Sequence, residues 1–167
     1  MVLGMSIQTF TMVHVVISLI AIATGLKVVW GMLLGRHYED WTAIFLFMTV
    51  LTSVTGFMFP APVSLLLPSQ IFGFISLAVL APTILALYVF RLAGFWRWVY
   101  IGCGLLALYL NVFVAVVQSF QKISFLQPLA PTQAELPFLV AQMVLFVLFC
   151  ALTAIAIMRF RPDLAEA

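Results

Sequence analysis

Charge is what this chain has least of: 7% of its 167 residues are Asp, Glu, Lys or Arg, while 66% are hydrophobic. Soluble domains carry about a quarter charged residues, so a water-soluble fold is excluded. The net charge of +2 is small and dispersed, without the basic stripe that a nucleic-acid surface requires, and no nucleic-acid partner is expected. Carboxylates are missing from every long apolar run, since Glu39, Asp40, Glu135, Asp163 and Glu166 fall between or after them. That leaves no paired acids for hydrolysis by general acid and base, and none for a proton pump built on an intramembrane carboxylate. Cysteine is scarce as well. Cys103 and Cys150 sit inside apolar segments without a CxxC pattern, where thiols behave as small hydrophobes. HExxH, P-loop, GxSxG and clustered Cys/His patterns do not occur, which argues against an enzyme. No catalytic or metal-binding residue is assigned.

What the chain does have is long apolar runs, each near the roughly 20 residues needed to cross a hydrocarbon core. Five qualify, at about Thr9–Leu34, Trp41–Phe59, Ile71–Phe90, Val99–Phe120 and Pro137–Met158. The expected fold is all-α: a polytopic transmembrane bundle of five helices forming one domain over residues 1–167. The first run has no basic residue before it and is too long for a signal peptide, so it reads as a mature span. Five spans do not divide into the equal halves of an inverted-repeat transporter.

Arg36, Arg91, Arg97, Arg159 and Arg161 fall on one side of this topology and Lys122 on the other. Positive charge is retained in cytoplasmic loops, so the N-terminus is expected outside and the C-terminus in the cytoplasm. Trp30, Trp41, Trp96 and Trp98 fall at the arginine-bearing ends, as interfacial anchors do. Several local expectations follow. Asp40 is placed as an N-cap, and Thr132 with Glu135 has capping-box spacing. Pro82 should kink the third helix, with Thr83 helping to satisfy freed carbonyls. Lys27 should snorkel towards Glu39 or Asp40, and Gly31 with Gly35 has GxxxG spacing. The loop Gln121–Leu136, with apolar Phe125, Leu126 and Leu129, should fold back over the mouth of the bundle.

The polar residues inside the spans carry what functional information there is. Thr11, His14, Ser18, Ala21 and Gly25 share one helical face. Thr49, Thr52, Ser53 and Gly56 make a second, Asn111 and Gln118 with Ala115 between them a third, and Ser76 and Gln142 come from the remaining spans. His14, Ser18, Thr52, Ser53, Asn111, Gln118 and Gln142 are the candidate ligand-binding residues of an outward-facing polar cavity, with His14 expected to meet Thr52 or Ser53, Gln118 and Gln142. Such residues also serve as packing glue between membrane helices, whereas an ionisable side chain at this depth points towards function. His37 lies in a loop, far from His14, so a bis-histidine haem within one bundle is not expected.

The segments WTAIFLFMTVLTSVTGFMFP and YLNVFVAVVQSFQKISFLQPLAPTQAELPF resemble a group of small bacterial integral membrane proteins with no established activity. The resemblance covers nearly the whole chain and implies one compact domain in a bacterial inner membrane, but no activity and no site residue. The leading expectation is a multi-pass inner-membrane protein that binds or conducts a small solute through the outer polar cavity, alone or as a homo-oligomer. One alternative is an accessory subunit of a larger membrane complex. Another is a haem- or quinone-binding redox protein that uses His14; the sequence leaves the cofactor unknown.

Overall fold

A computed structural model describes residues 2–59 and 68–161. Most of the expected connection 60–70, together with Asp163 and Glu166, lies outside the described residues. The elements are α1 (Ile7–Leu33), α2 (Glu39–Phe57), α3 (Pro68–Ile84), α4 (Phe95–Lys122) and α5 (Leu136–Arg159). Each of these helices is long and apolar enough to cross a membrane, α3 together with the turn that follows it. Among the described residues there is no strand beyond an isolated bridge between Val2 and Met5. At 27 and 28 residues, α1 and α4 reach about 40 Å and outspan a hydrocarbon core of about 30 Å.

Local chemistry sets the helix ends. Ser6 caps α1 by accepting the Thr9 amide at 3.1 Å. At the other end Gly35 takes a left-handed φ of 72°, and the Gly35 and Arg36 amides close back on Met32 and Gly31 in a Schellman turn. Gly31 is needed there too, because a Cβ would stand 2.8 Å from the Tyr38 ring. The GMLLG spacing therefore serves the α1–α2 turn. Asp40 is not the cap of α2: that position belongs to Tyr38, which offers no side-chain bond, and Glu39 and Asp40 occupy the first turn, where negative charge suits the helix dipole.

Pro82 lies inside α3, which widens into a π turn over Leu85–Val89, the usual accommodation of a lost amide donor. The Thr83 hydroxyl donates to the Val79 carbonyl at 2.9 Å, one residue beyond the carbonyl that Pro82 leaves without its amide. The chain then turns through Arg91 and Leu92, both with positive φ, to begin α4.

Helices adjacent in sequence pack side by side, and α1 also meets α4 and α5. Arg36, Arg97 and Arg159 mark one end of the bundle, hereafter the basic end; Lys122 and the α4–α5 loop mark the far end. The apolar core occupies the half towards the basic end, built from Val28, Met32, Phe45, Leu80, Leu105, Leu108 and their neighbours. Its seam is tight at Gly25, where a Cβ would lie 2.6 Å from Leu108 Cδ1 and 2.9 Å from Phe45 Cδ2. A gap beside it, lined by Gly25, Thr83, Tyr100 and Gly104, has room for about one water molecule.

A second apolar cluster, Phe120, Ala130 and Phe138 with Val116, Val117, Leu126 and Ala141, forms where the α4–α5 loop turns back on its own two helices. The loop thus packs against α4 and α5, while Phe125 stays 73% exposed. The Glu135 carboxylate accepts from the Thr132 amide and hydroxyl and from the Ala134 amide. Burial would raise its pKa, but these bonds hold it below the ordinary carboxylate value. Glu135 is itself the N-cap residue of α5, so the Thr132–Glu135 spacing marks a loop closure one turn before the helix.

Candidate functional site

Between these two clusters the described residues of the far half pack through aromatic pairs, Phe10 with Phe59, Phe57 with Phe74 and Phe72 with Phe113, and form no further buried apolar cluster. Along α4 every residue from Asn111 to Ser119 is half-buried, on all sides of the helix. The polar side chains gather at this level, and helix geometry explains most of their bonds. Serine and threonine in a helix return their hydroxyl to the carbonyl one turn back, as Ser18 does to His14, Thr49 to Phe45 and Ser53 to Thr49.

His14 meets α2 at Thr55, with Nδ1 2.7 Å from the hydroxyl oxygen. Neither Thr52 nor Ser53, Gln118 or Gln142 bonds to it among the described residues; α2 presents Thr55 to α1 and turns its Thr49–Ser53 face elsewhere. The Thr55 proton goes to the Leu51 carbonyl at 2.7 Å, so Thr55 accepts from the imidazole. In a neutral ring one nitrogen donates and the other accepts, which leaves Nε2 as the free acceptor. The ring is backed edge-on by Phe59 at 5.3 Å, and Phe59 in turn packs on buried Phe10.

On the other face of α2, Asn111 donates to Thr49 at 3.2 Å, which turns the Asn111–Ala115–Gln118 face of α4 inward. Gln142 donates its amide to the Phe113 carbonyl at 3.3 Å. Since a carbonyl only accepts, the Gln142 orientation is fixed and its Oε1 points away. That oxygen is buried without a partner, as are the Thr52 and Ser76 hydroxyls. Ser76 belongs with them in depth: Gly104 faces Thr83 across the α3–α4 seam, and about two turns further along both helices come Asn111 and Ser76. Gln118 is half-buried and makes no hydrogen bond among the described residues.

Of the seven candidates, then, Asn111 and Gln142 are anchored on neighbouring helices, His14 is oriented by Thr55, Ser18 and Ser53 bond within their own helices, and Thr52 and Gln118 are uncommitted. Thr55 and Ser76 join the set. The Thr52–Thr55 spacing was the available signal for the first, and the depth of Ser76 for the second. Buried polar groups are almost always paired, so three buried oxygens without a partner among the described residues set this half-bundle apart. Among the described residues no acidic side chain lies with them, and the Lys122 charge at the end of α4 is near enough to act on His14. Lys27 is exposed, with Nζ 5.4 Å from the Tyr38 ring centre, and makes no ion pair with Glu39 or Asp40.

The other histidine is at the basic end. His37 packs edge-on against Tyr100 and Phe160, its Nε2 buried without a partner. Burial lowers its pKa, and the nearby Glu39 charge opposes that shift. Among the described residues no three His, Cys, Asp or Glu side chains gather as metal ligands do. Compared with protein-family models, curated proteins and solved structures, the chain gives no match.

Proposed function

We propose that this multi-pass membrane protein binds a small neutral solute in a polar recess in the far half of the bundle, and that this half faces away from the cytoplasm. The arginine-rich end supports the orientation, because basic residues are retained on the cytoplasmic side; a bacterial inner membrane fits the resemblance of the sequence. The observation that carries the reading is that Thr52, Ser76 and Gln142, on three helices of the half that also holds His14, each keep a buried oxygen without a partner, in the half where α4 is half-buried all round. Gln142 Oε1 and His14 Nε2 only accept, whereas the two hydroxyls both donate and accept. The complementary ligand therefore brings at least two N–H or O–H donors. Among the described residues no acid is there to balance a cation, and acceptor-only groups repel an anion despite the Lys122 charge nearby, so the ligand is neutral: a small polyol or amide.

The seam at Gly25 closes the pathway below the recess, so binding rather than free conduction through one protomer is the activity favoured. A pathway between protomers of a homo-oligomer would draw on the same site.

The test is a thermal-shift titration of the purified protein with glycerol and urea, beside formate and ammonium as charged counterparts. A saturable stabilisation by a neutral compound, lost in both His14→Ala and Gln142→Leu, is expected. Stabilisation by the ions alone, or shifts that survive both substitutions, would overturn the reading. A Soret band in the purified protein would favour the redox alternative, and stoichiometric co-purification with a larger partner the accessory one.

A further inference from the structure

We infer that the basic end holds a second, independent site, for the phosphate of an anionic phospholipid, where the C-terminal ends of α1 and α5 meet the N-terminal end of α4. Three contacts bring the elements together. Arg97 of α4 donates to the Phe160 carbonyl at 3.3 Å, and Arg159 of α5 donates to the Leu33 carbonyl at 3.4 Å. Gly35, next to Arg36, comes close enough that a Cβ would sit 3.2 Å from the Arg159 carbonyl. Arg36, Arg97, Arg159 and Arg161 thus surround one junction.

Their charge has no counterpart among the described residues. Glu39 and Asp40 head α2 nearby, yet none of these arginines forms an ion pair with a carboxylate among the described residues. A guanidinium has five donors, and Arg97 and Arg159 each commit one to a backbone carbonyl, which holds the group in place and leaves the others free. Arg36 and Arg159 are at helix C-terminal ends, where cations suit the dipole. Arg97 is not: it is the third residue of α4, whose N-cap Gly94 supplies no side-chain bond and whose first turn has no acid. A cation beside an uncapped helix N-terminus is unfavourable alone and favourable once an anion sits between them.

The surroundings specify a lipid rather than a free ion. Trp30, Trp41 and Trp98 stand 56%, 44% and 46% exposed at the same end, and Phe95 73% exposed, which places the arginines at headgroup level with apolar surface for acyl chains alongside. Arginine forks match phosphate oxygens in pairs.

The experiment titrates the purified full chain, in a neutral detergent, with phosphatidylglycerol, with phosphatidylcholine and with inorganic phosphate, reading thermal stability and lipid retained in native mass spectra. Phosphatidylglycerol should stabilise and be retained, and phosphatidylcholine should not. At roughly 1 kcal/mol for each interfacial arginine, Arg97→Gln with Arg159→Gln should weaken retention at least about tenfold. Should the double variant fail to fold, Arg36→Gln, whose side chain holds no carbonyl, serves instead with a smaller loss. Lys122→Gln at the far end should bind as wild type does. Equal effects of phosphatidylcholine, an equal effect of inorganic phosphate, or retention unchanged in the arginine variants would overturn the site. So would binding that appears only after residues 162–167, with Asp163 and Glu166, are deleted, since the tail carboxylates would then be its occupant.

Discussion

Gly25→Ala probes the closed half of the bundle with a single methyl group. The added Cβ would stand 2.6 Å from Leu108 Cδ1 and 2.9 Å from two atoms of the Phe45 ring. Leu108 and Phe45 are 1% and 3% exposed, and the water-sized gap that both line relieves the clash only in part. Overpacking of this kind costs about 1–3 kcal/mol, against at most about 1 kcal/mol returned by the better helix propensity of alanine. The expected net loss is about 1–2 kcal/mol, which for a chain of this size lowers Tm by roughly 2–8 °C. Gly102 is the internal control, because a Cβ there meets nothing within 4 Å, and Gly102→Ala should be neutral or slightly stabilising. Thermal unfolding of the three proteins in one detergent makes the comparison. A Gly25→Ala protein as stable as wild type would show that the seam is loose and that the pathway below the polar recess is not closed by packing.

Thr55→Val should cost about 1–2 kcal/mol by stranding the His14 N–H, whereas Thr52→Val, which removes a hydroxyl without a partner, should cost less or stabilise; the reverse order in thermal unfolding would refute the His14 tautomer. Because burial lowers the His37 pKa below 6.5, the unfolded chain takes up its proton first, so the His37 contribution is complete above pH 6.5 and is lost as pH falls below it. His37→Leu should flatten Tm between about pH 7 and 5 relative to wild type, and an unchanged slope would assign the dependence elsewhere. In a background without Cys103 and Cys150, Ser124→Cys should react with an impermeant thiol reagent on intact cells and Ala93→Cys should not; the opposite result would invert the orientation.

The helices were legible because membrane solvation leaves so little choice: an apolar run of this length has to satisfy its backbone internally, and each of the five runs became a helix within a few residues of its expected bounds. The cap at Asp40 was misplaced because a carboxylate in the first turn of a helix gives nearly the same sequence pattern as one at its cap. The His14 partner was missed by three residues from Thr52 and two from Ser53, since hydrophobic runs carry no rotational signal when both lipid and core are apolar. The face of α2 that meets α1 is decided by packing around Gly56 and Phe59, near His14. The unpartnered oxygens were not legible at all, because satisfaction depends on three-dimensional neighbours that spacing does not encode.

Water access along α4 separates the two halves most directly. Ala107 is fully buried in the apolar core, and Ala115 lies two turns further out, half-buried on the inward face between Asn111 and Gln118. With both native cysteines removed, Ala115→Cys should react readily with a small, charged, membrane-impermeant thiol reagent, and Ala107→Cys should not react until the protein unfolds. A neutral ligand found by thermal shift should slow the first reaction. Protection of Ala115→Cys equal to that of Ala107→Cys would contradict the recess, and with it the reading of this protein as a binder of small polar solutes.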